Sequence, residues 1–109
     1  MRLAIIGSRN CTPIDIEKEL DHFPDTIISG GAMGVDTYAR MFAKKHNLNL
    51  VEYLPDYERY GRGAPLVRNK QIVENCDSVL AFWDGQSRGT KFTLDYAKEL
   101  GKPVKIVKI

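Results

Sequence analysis

Five short runs of apolar residues divide the chain, and the segments between them carry apolar residues at intervals of three and four. Most of the runs are continuous rather than alternating, which is typical of strands covered on both faces in a parallel sheet. The runs predict strands over residues 3–6, 26–28, 50–54, 78–83 and 104–107. The intervals of three and four in the intervening segments predict helices.

The first predicted helix lies between the first two strands. Thr12 has the chemistry of an N-cap, and Pro13 suits the first helical position because its missing N–H would be unpaired there. Ile16, Leu20 and Phe23 are the apolar positions of this segment. We therefore expect a helix that begins at Thr12 and packs on the sheet through these three side chains.

Three further helices are predicted, each between two strands. The second spans about residues 33–46, the third begins at residues 64–65, and the fourth spans about 90–100 and stops before Gly101. The positions predicted to face the sheet are Val35, Ala39, Phe42 and Ala43 in the second helix, Ile72, Val73 and Cys76 in the third, and Thr93, Tyr96, Ala97 and Leu100 in the fourth. This alternation predicts an α/β fold, a Rossmann-like three-layer α/β/α domain with two helices on each face of a five-stranded parallel sheet.

Length and composition restrict the interpretation without indicating a function. A chain of 109 residues predicts a single domain over residues 1–109, and 43% apolar and 28% charged residues are ordinary for a soluble protein. The net charge of +2 is small for a protein that binds polyanions. The first apolar run is a strand rather than a signal peptide, and no stretch is long enough to span a bilayer, so we expect a cytoplasmic protein with no membrane partner.

Several chemistries lack their sequence patterns. Cys11 and Cys76 have the spacing of neither a disulfide framework nor a zinc site, and Cys76 ends an apolar stripe that favours a buried free thiol. No cluster of histidine, cysteine and aspartate has metal-ligand spacing. The chain has neither GxxxxGK[ST] nor a GxGxxG motif with an acidic residue at the end of the next strand. We therefore expect no metal, no dinucleotide cofactor and no P-loop.

Glycines and small polar residues collect after the first, second and fourth predicted strands. The three stretches are GSR at residues 7–9, SGGAMG at 29–34 and DGQSRGT at 84–90. Ligands of open α/β sheets bind beyond the carboxyl ends of the strands, where the strand order reverses. The order 3-2-1-4-5 would bring these three loops together, so we prefer it to the order 2-1-3-4-5.

These loops have the chemistry of an anion site. Glycine allows a close approach to the backbone, and the second and third loops run into helices whose first N–H groups are unpaired. Hydroxyl and guanidinium groups add further donors. The candidate ligand-binding residues are Gly7, Ser8, Arg9, Ser29, Gly30, Gly31, Gly34, Asp36, Arg68, Asn69, Asp84, Gly85, Ser87, Gly89 and Thr90. We expect a phosphate or sulfate to lie among Gly7, Ser8, Gly30, Gly31, Gly89 and Thr90.

Each assignment has a structural alternative. Glycines after a strand often serve only a tight turn. Asp36 could hydrogen-bond a ribose, or it could fix its loop and complement the dipole of the second helix. Arg68 lies off the face of its helix that carries Ile72 and Val73, so it could simply be solvated. Trp83 could stack on a base or belong to the core.

The longest stretch without helical or strand pattern is PDYERYGRG at residues 55–63. It is polar, aromatic and long for a connection in such a fold, which favours a lid or a binding loop. Arg59 and Arg62 could close over a ligand, and Tyr57 or Tyr60 could stack on a base.

Three stretches of the chain resemble the SLOG superfamily of Rossmann-like proteins, namely IIGSRN, IISGGAMGVDTYARMFAKKHNL and LVRNKQIVENCDSVLAFWDGQSRGTKFTLDYAKELGKPV. This superfamily joins the DNA-processing protein DprA (Smf), the LOG phosphoribohydrolases and small YspA-type proteins. The YspA type shares the SGGA-x-G-x-D stretch and the long loop before the Arg-Asn pair. The resemblance implies a site for nucleotides or their derivatives, with one half formed by Ser29, Gly30, Gly31, Gly34 and Asp36 and the other by Gly85, Ser87, Gly89 and Thr90.

The sequence departs from the LOG pattern where catalysis would occur. LOG enzymes carry PGGxGTxxE, whose glutamate is essential for N-glycosidic cleavage. The equivalent stretch here is DGQSRGTKFT, with Thr93 at the position of the glutamate, while Arg68 matches the LOG catalytic arginine. An arginine without that carboxylate suits phosphate binding better than hydrolysis. Arg68 and Asp84 are the remaining candidates for catalysis.

We therefore predict a protein that binds or senses a nucleotide or a nucleotide-derived small molecule without a cofactor. One alternative is a LOG-like hydrolase of nucleoside monophosphates. The other is a DprA-like module for single-stranded nucleic acid, which the nearly balanced charge disfavours. A domain of this size leaves much helix surface exposed, so we also expect a homodimer or larger oligomer.

Overall fold

The computed structural model describes residues 1–9 and 13–109; Cys11 and the helix cap predicted at Thr12 lie outside them. The strands of the described residues are β1 (Arg2–Gly7), β2 (Thr26–Ser29), β3 (Asn49–Glu52), β4 (Ser78–Trp83) and β5 (Val104–Lys108). The α-helices are α1 (Val35–Lys45), α2 (Tyr57–Tyr60), α3 (Ala64–Glu74) and α4 (Arg88–Glu99), and 3-10 helices span Glu17–Glu19 and Gly61–Gly63. None of the helices in these two ranges is long and apolar enough to cross a membrane.

The strands of the described residues form a five-stranded parallel sheet in the order β3-β2-β1-β4-β5, so the predicted order is confirmed. The central strand is β1, in which Ala4 is in register with Ile28 of β2 and Val79 of β4. Because these strands are neighbours and parallel, the loops that follow β1, β2 and β4 meet at one edge of the sheet.

Two hydrophobic cores lie on the two faces of the sheet. Leu3 and Ile5 point into the core under α1, while Ala4 and Ile6 point into the core under α3 and α4. This alternation follows from the two-residue period of a strand. Cys76 belongs to the second core, which confirms the predicted burial of its thiol, and burial raises the pKa of that thiol.

The prediction for the first helix is wrong over the described residues. The chain there forms only the 3-10 turn Glu17–Glu19, and Leu20 is already extended, with φ −105° and ψ 134°. Phe23 is 48% exposed and stacks on Phe42, with ring centroids 5.8 Å apart. Pro24 disfavours the helical region at Phe23, the residue that precedes it, so a helix could not have continued through the predicted position Phe23. In the described residues this face of the sheet therefore carries one α-helix instead of two.

Two further predictions differ from the structure. Residues 55–63 are largely helical, because the carboxylate of Asp56 caps α2 by accepting the N–H of Arg59 at 3.2 Å. In α4, Leu94 is buried, whereas Leu100 lies at the C-cap and is exposed. The polar composition of residues 55–63 gave no helical pattern, so the short capped helix α2 was not predicted.

Candidate functional site

A cleft of about 390 Å³ opens at the carboxyl edge of the sheet. Its walls are the loops that follow β1, β2 and β4, together with the first two turns of α3. The cleft brings together most of the predicted ligand-binding residues, namely Gly7, Ser8, Arg9, Gly30, Asp36, Arg68, Asn69, Asp84, Ser87, Gly89 and Thr90.

Four predicted residues do not line the cleft, namely Ser29, Gly31, Gly34 and Gly85. Gly31 and Gly34 have φ values of +68° and +74°, which favour glycine, and they shape the loop that leads into α1. A Cβ atom at Gly34 would overlap the carbonyl oxygen of Arg9, so this glycine also lets the first two loops pack together. In the described structure Gly31 and Gly34 therefore shape the backbone of the loop, and their predicted contact with a ligand stays a prediction.

Sequence reasoning missed six lining residues, which are Ile6, Ala32, Met33, Pro65, Ile72 and Thr93. Most are apolar, and the anion chemistry that guided the prediction gives no weight to apolar walls. Met33 is 76% exposed at the rim of the cleft. Its position inside the glycine-rich loop was the signal that could have identified it.

Arg68 is a buried residue of the cleft, which contradicts the interpretation that it is solvated. It lies four residues before Ile72 and therefore on the same face of α3. Its Nη1 donates to the carbonyl oxygens of Gly30 at 2.6 Å and Tyr53 at 3.4 Å, and its Nε donates to Oδ1 of Asn69 at 2.9 Å. Its Nη2 makes no hydrogen bond to a described residue, which leaves a donor for a ligand.

Asp36 places a carboxyl group in the same cleft. Its Oδ2 accepts the N–H of Ala32 at 3.1 Å, so the carboxylate fixes the loop between β2 and α1. Burial raises the pKa of Asp36, although the Ala32 amide and the nearby Arg68 charge oppose the shift. Burial also lowers the pKa of Arg68, and Asp36 opposes that shift. The two groups thus stabilise each other's charged form, although no direct ion pair joins them among the described residues.

Gly30 separates these two charged groups. A Cβ atom at this position would lie 2.5 Å from Nη1 of Arg68 and 3.0 Å from Oδ2 of Asp36. Since real Cβ atoms essentially never show a contact as short as 2.5 Å, any larger residue would displace the guanidinium of Arg68. This requirement is steric, because the φ of Gly30 is not positive.

The two helix N-termini at the cleft differ in their free amides. At α1, the N–H of Val35 donates to the carbonyl of Ser8 at 3.2 Å, and the Asp36 carboxylate is close by. At α4, the cap is Ser87, whose Oγ accepts the N–H of Thr90 at 3.4 Å. The N–H of Gly89 makes no hydrogen bond to any residue in the described ranges. An anion is therefore favoured at α4 and opposed by Asp36 at α1.

Asp84 holds the loop before α4. Its Oδ1 accepts the N–H groups of Gln86 and Ser87, each at 2.8 Å, and its own N–H donates to Oγ of Ser8 at 3.3 Å. The bonds from Gln86 and Ser87 lower the pKa of Asp84. This carboxylate is ionised and occupied by backbone donors, which fits a structural role.

The aromatic and basic residues of α2 lie outside the cleft. Tyr57 and Tyr60 are exposed, and the guanidinium of Arg59 lies over the Tyr60 ring, 5.3 Å from its centroid. Trp83 also does not line the cleft; its Nε1 donates to the carbonyl of Ser87 at 3.1 Å. Among the residues described, no cluster of three histidine, cysteine or acidic side chains could hold a metal ion.

Comparison with known proteins establishes the fold. The structure is similar to DNA processing protein A (DprA) from Streptococcus pneumoniae, with a TM-score of 0.76 and 21% sequence identity. The similarity covers 96% of this chain and 49% of the DprA chain, so the chain spans about half of that protein. No protein-family model and no curated protein matches the sequence.

Proposed function

We propose that the cleft binds a small phosphate-bearing, nucleotide-like molecule and that the protein acts as a binding or sensing protein. The observation that carries this proposal is the guanidinium of Arg68, which is buried in the cleft with Nη2 free of hydrogen bonds to the described residues. Burying a charged group is costly unless the group is hydrogen-bonded and paired with an opposite charge. A phosphate oxygen would supply the missing acceptor and a compensating charge.

The phosphate subsite that we propose lies at the start of α4. Gly89 offers a free backbone N–H there, Thr90 and Ser8 add hydroxyl groups, and Arg9 adds a second positive charge at the cleft. A helix N-terminus with converging donors is a favourable environment for a phosphate group. The cleft volume of about 390 Å³ falls within the usual range for small-molecule sites, so it has room for more than the phosphate.

The sequence resemblance to SLOG proteins supports a nucleotide-derived ligand. The SGGAMGVD stretch that carries the resemblance contains Gly30 and Asp36, and both of them line the cleft. Because the resemblance includes the small YspA-type proteins, we extend the proposal: this protein would be a small sensor-like member of that superfamily.

A second candidate function is binding of single-stranded nucleic acid. The similarity of the fold to that of DprA, and the exposed Tyr57, Tyr60 and Arg59 of α2, favour it. Single-strand binders combine a basic groove with aromatic side chains on which bases stack. The aromatic residues here lie outside the cleft, so the two functions use different surfaces.

Binding measured by calorimetry separates the two functions. We expect AMP to bind the wild type, Arg68→Ala to lose most of that affinity, and the control Arg59→Ala to retain it. A labelled oligonucleotide is expected to bind weakly if at all. Tight oligonucleotide binding that Arg59→Ala abolishes, with no binding of AMP, would overturn the proposal in favour of the second function.

A further inference from the structure

Asp36 places a half-buried carboxyl group in a cleft whose other charged residues are Arg9, Arg68 and Asp84. Its Oδ2 is engaged by the N–H of Ala32, while Oδ1 accepts no hydrogen bond of good geometry from a described residue. The hydroxyl of Ser29 belongs to a fully buried residue that does not line the cleft, and its interaction with the carboxyl group helps to lower the pKa of Asp36. An ionised carboxylate offers roughly four acceptor positions, so Oδ1 retains the capacity to accept from a ligand.

The chemistry of the group that meets Asp36 is restricted by charge. Phosphate oxygens would be repelled by the carboxylate of Asp36, whereas the carboxylate of Asp84 at α4 is compensated by the N–H groups of Gln86 and Ser87, so the phosphate is placed at α4. The loops after β2 and β4 are separated by β1, which places them roughly 10 Å apart given the spacing of neighbouring strands. An inorganic phosphate cannot bridge that gap, whereas the sugar of a nucleotide extends away from its phosphate. The part of the ligand near Asp36 should therefore carry neutral hydrogen-bond donors.

We propose that Asp36 accepts hydrogen bonds from the ribose hydroxyls of the ligand and so selects ribonucleotides over deoxyribonucleotides; this inference rests on the proposed function. A vicinal pair of hydroxyls supplies two donors to one carboxylate. Gly30 keeps the carboxylate in position, because its missing Cβ leaves Oδ2 free to bind the Ala32 amide. Arg68 lies close by and favours the ionised form of Asp36, which is the stronger acceptor.

The test compares AMP with dAMP by calorimetry. We expect the wild type to prefer AMP by about tenfold or more, the factor that corresponds to a hydrogen bond to a charged acceptor. IMP should bind like AMP, because the exocyclic amine of the base is not the donor that Asp36 accepts. Inorganic phosphate serves as a probe of the phosphate subsite alone.

The informative variant is Asp36→Asn. Asparagine retains one oxygen for the Ala32 amide and replaces the other with an NH₂ donor, so the loop keeps its anchor while the acceptor for the ribose is lost. We expect the ratio of AMP to dAMP affinity to fall close to one in this variant, with phosphate binding retained. The matched control is Asp95→Asn on the exposed side of α4, which should keep the wild-type ratio.

The outcomes distinguish this inference from the proposed function. If neither nucleotide nor phosphate binds the wild type, the proposed function itself fails. Equal affinity of the wild type for AMP and dAMP contradicts the role of Asp36 and leaves phosphate binding intact. A preference for AMP that persists in a folded Asp36→Asn variant also contradicts the proposal, because another residue then recognises the ribose hydroxyls.

Discussion

Nη1 of Arg68 donates a 2.6 Å hydrogen bond to the carbonyl oxygen of Gly30, a residue 38 positions earlier in the chain. The bond joins α3 to the loop after β2 and holds the guanidinium beside Asp36. Because Gly30 contributes a carbonyl and no side chain, its small size determines where Arg68 lies. Arg68 and Gly30 therefore form one structural unit, and a change at either should disturb the site.

The substitution Gly30→Ala tests this unit. Its Cβ would lie 2.5 Å from Nη1 of Arg68, so the guanidinium must move and its hydrogen bond to the Gly30 carbonyl must lengthen. We expect a loss of stability of about 1–3 kcal/mol, typical of overpacking, and at least a tenfold loss of nucleotide affinity. Chemical denaturation and calorimetry measure the two effects.

The matched control is Gly63→Ala, where an added Cβ meets no described atom within 4 Å and the backbone is already helical. It should preserve both stability and affinity. If Gly30→Ala binds AMP as the wild type does, the contact between Gly30 and Arg68 is not needed for binding. Gly31 is a poorer test, because its positive φ makes any substitution there strained and it does not line the cleft.

The raised pKa of Asp36 predicts a dependence of stability on pH. An unfolded aspartate ionises near pH 3.9, and the folded group keeps its proton to a higher pH. Between the two pKa values the folded state binds more protons, so this residue makes stability fall as pH rises through that window, and the loss persists above it. Asp36→Asn should therefore be more stable than the wild type near neutral pH, with the difference shrinking in acid.

Thermal unfolding of the wild type and Asp36→Asn over a range of pH measures this difference directly. Other carboxylates titrate equally in both proteins, so their contribution cancels. Asp95→Asn, at an exposed position, should give a difference that varies little with pH. An Asp36→Asn protein that is less stable than the wild type near neutral pH would mean that the charge of Asp36 stabilises the fold through Arg68.

The strand order was predictable because the composition of three loops marks one edge of the sheet, and β1 lies between β2 and β4 as that composition requires. The position of Arg68 in the cleft was not predictable, because its contacts to Gly30 and Tyr53 depend on how α3 packs across the sheet. Its helical spacing from Ile72 was nevertheless visible in the sequence. The first helix was mispredicted because Ile16, Leu20 and Phe23 have helical spacing, whereas the backbone is already extended at Leu20.

The one tryptophan of the chain provides a spectroscopic test of the phosphate subsite. Nε1 of Trp83 donates to the carbonyl of Ser87, the residue that caps α4. A phosphate group at the start of α4 should alter this hydrogen bond and hence the indole emission, so we expect a saturable fluorescence change on titration with AMP or phosphate. Calorimetric binding with no change in emission would indicate that the ligand does not reach α4.

We predict that the protein releases no base from nucleoside monophosphates. Cleavage of an N-glycosidic bond builds positive charge on the ribose, which requires a nearby carboxylate. Thr93 is neutral, and its hydroxyl donates to the carbonyl of Gly89 at 2.8 Å, while Asp84 is occupied by the amides of its own loop. Asp36 and Asp84 both line the cleft, and each has one carboxylate oxygen that accepts no hydrogen bond from a described residue, so catalysis by either of them would contradict this prediction.

Chromatographic detection of free adenine from AMP provides the measurement, with wild type, Asp36→Asn and Asp84→Asn assayed side by side. Saturable binding without adenine release is the expected result for the wild type. Turnover in the wild type that is lost in Asp36→Asn and kept in Asp84→Asn would make the protein a hydrolase that uses a carboxylate from α1. Loss in Asp84→Asn alone would place catalysis at the start of α4, where the hydrogen bonds of Asp84 argue against it.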